Sequence, residues 1–231
     1  MSKSNHTMIK ISVGKKQMSL GKNCHSNEIY IGIDPANNGS AVVLINGTAA
    51  ISVLWNKRVR KKKRVWKVSI VRMIKRTEQL IIVDRPSKIG SVIAHLPELE
   101  KTPFKLACED IYIRAGSGRT ALHLARFTGA LLGGIELYHD VDVRFVPVMT
   151  WRKDVLGVNR RIKREEAKRL SLEIMPKLLP HLGIALYQQG RQDHISDAAG
   201  VALWSKREET DEQQPYKPEP ELLSGELNEA S

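Results

Sequence analysis

Four side chains able to bind a hard metal ion recur along the chain in the order Asp34, Glu109, His194 and Asp197. Asp34 ends the apolar run Ile29-Tyr30-Ile31-Gly32-Ile33, and Glu109 ends Lys105-Leu106-Ala107-Cys108. His194 and Asp197 open a late helix. Each run reads as a buried strand, and a carboxylate at the edge of one is costly unless a cation sits beside it. Oxygen-rich clusters gathered from distant parts of a chain are what cations such as Mg²⁺ require. On a strongly basic chain the obvious anionic partner for that ion is nucleic-acid phosphate. Together these features point to metal-dependent phosphodiester hydrolysis.

The charge supports that direction. The 231 residues carry a formal +12, unevenly placed. Residues 208–231 hold eight acids against Lys217 alone; removing that −7 leaves +19 on residues 1–207. Such a field speeds encounter with a polyanion and supplies sequence-independent affinity through counterion release. Residues 57–76 concentrate it, with eleven Lys or Arg and no acid. Lys61, Lys62, Lys63 and Arg64, with Trp66 close by, are the expected nucleic-acid contacts of this segment. The plain alternative is a solvated charge run.

Other classes are disfavoured. Cys24 and Cys108 are too few and too far apart for a disulfide framework or a zinc site. No apolar stretch is long enough to span a membrane, and the first 28 residues lack a signal-peptide core. The expected location is therefore cytoplasmic.

The elements that must position these groups follow from pattern. A basic, disordered arm is expected over 1–27, one domain over 28–207 with a basic insertion at 57–76, and an acidic disordered tail over 208–231. The first strand runs to Asp34, followed by the turn Pro35-Ala36-Asn37-Asn38-Gly39. Strands at 40–45 and 50–55 flank Asn46-Gly47, a strong hairpin signal. Residues 65–71 are either a long hairpin arm or an extension of the sheet. Helices are expected at 86–96, 119–138, 163–175 and 196–206, and further strands at 106–112 and 141–148. Gly129, Ala130, Gly133 and Gly134 in the second helix predict close approach of another helix or subunit. Asp193 is placed to N-cap the last helix.

The strand ending in Asp34-Pro35 with its Gly39-Ser40 turn, then Ala107-Cys108-Glu109, then His194-x-x-Asp197-Ala198-Ala199 at a helix start resembles the RuvC-type Holliday-junction resolvases of the ribonuclease H-like superfamily. Glu109-Asp110-Ile111-Tyr112 and the small-residue helix Leu124-Ala125-Arg126-Phe127-Thr128-Gly129 look like that family's second motif and the helix after it. The turn after Asp34 is closer to phage-type relatives. The resemblance spans 28–206; the acidic tail and the 57–76 segment have no counterpart in the compact bacterial enzymes.

The resemblance implies an α/β fold with a mixed five-stranded sheet in order 3-2-1-4-5, flanked by helices, in a homodimer. It implies two Mg²⁺ ions, replaceable by Mn²⁺, held by Asp34, Glu109, His194 and Asp197. Asp193 is an alternative to His194 as ligand. Two ions about 3.5–4 Å apart activate a water and stabilise the leaving 3′ oxygen. The expected outcome is resolution of four-way or other branched DNA in recombination and repair, giving 5′-phosphate and 3′-hydroxyl ends. By the same resemblance Tyr112 stacks at the junction centre, and Arg152 and Lys163 lie near the scissile phosphate. Arg114 and Arg119 flank Gly116-Ser117-Gly118, a loop able to follow a nucleic-acid backbone. Trp151 reads as a core or dimer anchor and Lys168 as a plain surface residue. The alternatives are another ribonuclease H-like nuclease, acting on flaps, packaging intermediates or RNA–DNA hybrids, or a DNA-binding protein without catalysis. A sugar-kinase or actin-like ATPase needs a second similar half, for which this basic chain is too short.

Overall fold

Every residue of Ile29–Asp34 is buried, as a central strand covered on both faces must be. The computed structural model describes residues 9–12, 28–60, 63–73, 76–110, 118–158, 162–184 and 190–209. They form a mixed sheet of eight strands: β1 (Ile9–Ser12), β2 (Ile29–Asp34), β3 (Asn38–Ile45), β4 (Thr48–Arg60), β5 (Lys63–Arg72), β6 (Thr77–Val83), β7 (Phe104–Glu109) and β8 (Val143–Val146). The order across the sheet is β1-β6-β5-β4-β3-β2-β7-β8.

The expected 3-2-1-4-5 arrangement is the contiguous block β4-β3-β2-β7-β8, but the sheet has eight strands rather than five. Of the three additions, β5 is made by the basic segment, β6 follows it, and β1 comes from the N-terminal stretch that was expected to be a disordered arm. The basic segment is no appended insertion: its residues finish β4 and make β5, which pairs along ten residues of β4. β6 then pairs with β5, and β1 closes that edge antiparallel to β6. Asn46 and Gly47, both at positive φ (51° and 74°), form the β3–β4 hairpin turn, the geometry that matches strand twist.

Alternation divides the strands between two cores. Ile29, Ile31 and Ile33 join Val53, Trp55, Trp66, Val68 and Ile70 against α1 (Pro86–Ala94) and α2 (Gly118–Glu136). Tyr30, Val42, Leu44, Leu54 and Ala107 face the other way. They meet α3 (Val148–Leu156), α4 (Arg164–Leu178) and α5 (Gln192–Glu209). Each fully buried large aliphatic side chain contributes about 1.5–3 kcal/mol. Two contacts are too close for any side chain: α1 on α2, where a Cβ on Gly90 would lie 1.9 Å from the Leu131 carbonyl oxygen and one on Gly134 2.0 Å from that of Ser87, and α5 on β2. A Cβ on Gly32 would lie 2.1 Å from the Ala198 carbonyl oxygen and 2.3 Å from the Ala202 nitrogen, so only glycine lets the helix settle there.

Several boundaries differ from expectation. The strand predicted to run to Val148 stops at Val146, and α3 begins after Pro147, whose fixed φ suits a helix entrance. The last helix starts at Gln192 rather than Ser196, so Asp193 lies within its first turn and does not cap it. Helix α4 continues through Pro176 to Leu178. The β7 ladder ends at Glu109, and residues 111–112 lie outside the described residues. So do most of the expected basic arm and acidic tail, save Ile9–Ser12 in β1 and Glu208-Glu209, which continue α5. No helix among the described residues is long and apolar enough to cross a membrane.

Candidate metal centre

β2 and β7 run parallel, with Ile33 paired to Cys108, so Asp34 and Glu109 stand side by side at the carboxyl ends of neighbouring strands. Both point to the face covered by α5, because Gly32 and Ala107 two residues earlier do. The Gly32 contact fixes where α5 crosses, which brings its first turns over that edge. Ser40, opposite Asp34 on β3, donates its hydroxyl proton to the His194 carbonyl at 2.7 Å. The His194 ring donates from Nδ1 to Asp34 Oδ2. Residues 160 apart in sequence are thereby joined.

Each remaining carboxylate has its own cationic or donor partner. Trp151, fully buried on α3, donates its indole N–H to Glu109 Oε2 at 3.0 Å. Its ring lies against Gly200 of α5, where a Cβ would come within 2.4 Å of it. Trp151 is therefore a strut between β7 and the helix carrying His194 and Asp197. Arg152 places Nη2 3.7 Å from Asp197 Oδ2, and its Nε is buried without a partner. Asp193 is engaged elsewhere, by the Lys168 ammonium at 2.6 Å.

The electrostatics report crowding of negative charge. Burial, then the charges of Asp34 and Asp197, push Glu109 up to about 8, against the lowering effect of Trp151 and Arg152. Burial and the Asp34 charge push Asp197 up to about 7, only partly offset by Arg152 and His194. For His194, burial favours the neutral ring, but the hydrogen bond to Asp34 and the charges of Asp34, Asp197 and Asp193 outweigh it and raise its pKa. Cys108 is raised by burial and then by Asp34, which keeps its thiol protonated.

Three carboxylates and an imidazole are a suitable donor set for a hard divalent ion, and the raised carboxyls show where positive charge is lacking. Their spacing is not a closed cage: no three His, Cys, Asp or Glu side chains among the described residues are gathered as a ready ion site. His194, Trp151 and Arg152 each hold one carboxylate. An ion would have to displace or share those partners.

The other expected contacts are distributed. Arg152 is beside the cluster, 14% exposed along its side chain. Lys163, exposed at the N-cap of α4, and Arg119, exposed in the first turn of α2, make no hydrogen bond or ion pair with it. Lys63 and Arg64 are exposed at the start of β5. Lys61, Lys62, Tyr112 and Arg114 lie outside the described residues. Sequence reasoning missed three groups: Trp151 as Glu109's partner, Ser40 as the tie to α5, and Lys168 as Asp193's counter-ion. The only signal was Ser40's place in the turn motif.

No protein-family model and no curated protein matches the chain. Among solved structures it is similar to Thermus thermophilus RuvC in complex with a Holliday junction substrate. That likeness has a TM-score of 0.45 and 15% identity, covering 80% of this chain and 96% of that one. A second Thermus thermophilus RuvC structure gives a TM-score of 0.42 and 15% identity, covering 79% of this chain and 96% of that one.

Proposed function

We propose that the chain is a divalent-metal-dependent endonuclease of branched DNA, with the four-way junction as its main substrate, acting as a homodimer in the cytoplasm of a bacterial or phage-infected cell. The observation that supports this reading is Asp34 and Glu109 side by side at neighbouring strand ends, with Asp197 of α5 near enough for burial and mutual repulsion to raise Glu109 and Asp197. That energetic cost is relieved by a cation.

Asp34, Glu109, His194 and Asp197 are the residues that would hold Mg²⁺, with Mn²⁺ as a substitute. When bound, such ions would supply activation of a water and charge for the leaving 3′ oxygen, chemistry that would give 5′-phosphate and 3′-hydroxyl ends. The chain supplies orientation and charge. Trp151 fixes one oxygen of Glu109, and the other takes no hydrogen bond among the described residues. His194 uses Nδ1 on Asp34, and its Nε2 makes no hydrogen bond among the described residues. Arg152 adds a positive charge beside Asp197, where an incoming phosphate needs one. Two sites related by a two-fold axis would nick opposed strands of a junction as a pair.

The test is digestion of a mobile four-way junction beside a Y-shaped fork, linear duplex and RNA–DNA hybrid, with and without Mg²⁺ or Mn²⁺. Metal-dependent paired nicks in the junction support the reading. Binding without cleavage under every metal condition removes it in favour of a non-catalytic DNA-binding protein.

A further inference from the structure

β4 and β5 outrun their neighbours at the edge where Asp34 lies. The row containing Asp34 continues across the sheet through Ser40, Leu54 and Ser69. On one side β3 begins at Asn38, paired with Asn56; on the other β6 ends at Val83, paired with Trp66. Beyond both, Arg58–Val65, Val59–Arg64 and Arg60–Lys63 still pair. Three residue steps at about 3.3 Å carry a free two-stranded ribbon roughly 10 Å past the sheet.

The ribbon has two unlike faces. Trp66 alternates onto the α2 side, where it and Trp55 sit over Phe127, with ring centroids 6.1 and 6.4 Å apart from it. That contact fixes the ribbon's base. The opposite face continues the one that bears Asp34, and it presents Asn56, Arg58, Lys63, Val65 and Lys67. Arg58 and Lys63 are exposed, and neither they nor Lys67 form an ion pair among the described residues. Residues 57–76 contain no acid to neutralise them.

We infer that this ribbon lies in the major groove of a B-form DNA duplex flanking the candidate centre, with Arg58, Lys63 and Lys67 turned to the DNA. A two-stranded ribbon is one of the few protein elements that the groove, about 12 Å wide, admits. The major groove of A-form RNA is too narrow for side chains to read. Cations along one face meet the phosphates at the groove rims. The inference rests on the nuclease reading for the position of the cut, whereas the groove contact is measured separately from cleavage.

The experiment uses the full chain on a branched DNA with long duplex arms, without divalent ions, probed by dimethyl sulfate at guanine N7, a major-groove atom. Protection is expected within about one helical turn, roughly 10 base pairs, of the branch. Arg58→Gln/Lys63→Gln/Lys67→Gln should abolish that protection and reduce the slope of log affinity against log salt by about 2 to 3. Lys57→Gln, on the other face, should keep it. Unchanged N7 reactivity with wild-type protein bound, or equal loss in the second variant, overturns the inference. Arg58→Gln alone, at an exposed position, carries the same test should the triple variant melt early. Protection without cleavage in Mg²⁺ sinks only the nuclease reading; cleavage without protection sinks only the ribbon.

Discussion

The two faces of the sheet come from the same strands and differ in what they can tolerate. β2 gives Ile29, Ile31 and Ile33 to the α1/α2 face, and Tyr30, Gly32 and Asp34 to the α5 face. The first face is an apolar core in which side chains mainly fill space, and the buried Trp66 Nε1 and Thr128 Oγ1 there have no hydrogen-bond partner. The second holds buried Asp34, Ser40, Ser171 and Ser196 and the raised carboxyls beside them. A cluster of like charges cannot supply its own cohesion, so the apolar side stabilises the strands on which the polar side is mounted. Position along a strand, odd or even, decides whether a residue serves stability or chemistry.

The difference between the faces can be broken most sharply at Asp34. Asp34→Asn should lower cleavage of a junction on the order of 10³-fold or more while leaving junction binding nearly unchanged, read by paired nicking and gel-shift assays. Equal cleavage by that variant would rule out the site. Packing comes next. Gly32→Val drives a side chain into the α5 backbone and should cost about 3 kcal/mol or more, against about 1 kcal/mol for Ile31→Val on the other face, by chemical denaturation.

A third comparison uses pH. Glu109 at about 8 and Asp197 at about 7 lie above their unfolded values, so the folded state keeps protons that the unfolded chain gives up. Without metal, stability should therefore be greatest below about pH 4 as far as these groups act, and fall as pH rises toward 7–8. Added Mn²⁺ should raise the melting temperature more at pH 8 than at pH 5, and a shift independent of pH would contradict the crowding of these carboxyls. The smallest effect belongs to Trp151→Phe, which keeps the ring and removes one donor. It should cost about 1 kcal/mol of stability and change the Mn²⁺ concentration needed for cleavage, with binding of metal-free DNA unaffected. An unaltered metal requirement would make Trp151 a packing residue alone.

Much of this was legible in one dimension because it depends on short-range pattern. The apolar runs before Asp34 and Glu109 and the Asn46-Gly47 hairpin report local requirements, and of the glycines read in α2 only Gly134 meets another helix, at Ser87, while Gly129 and Gly133 meet nothing. The block β4-β3-β2-β7-β8 follows from hairpin and crossover rules applied to those elements. Where a signal was ambiguous the reading went astray. Residues 65–71 left a hairpin arm and an extension of the sheet both open, and Trp66, Val68 and Ile70 on one side seat β5 in the sheet. The strand expected over 141–148 ran through Pro147, which instead ends β8 and opens α3.

The order and chemical types of Asp34, Glu109, His194 and Asp197, and the basic field around them, were determined by the sequence alone, because composition and periodicity are properties of the chain itself. Which donor holds each carboxylate was decided only by tertiary structure. Trp151 reaches Glu109 across 42 residues, and His194 reaches Asp34 across 160, because α3 and α5 happen to cross at Gly200 and Gly32. Hydrogen bonds and pKa values depend on distance and burial in space, and neither is encoded in spacing along a strand.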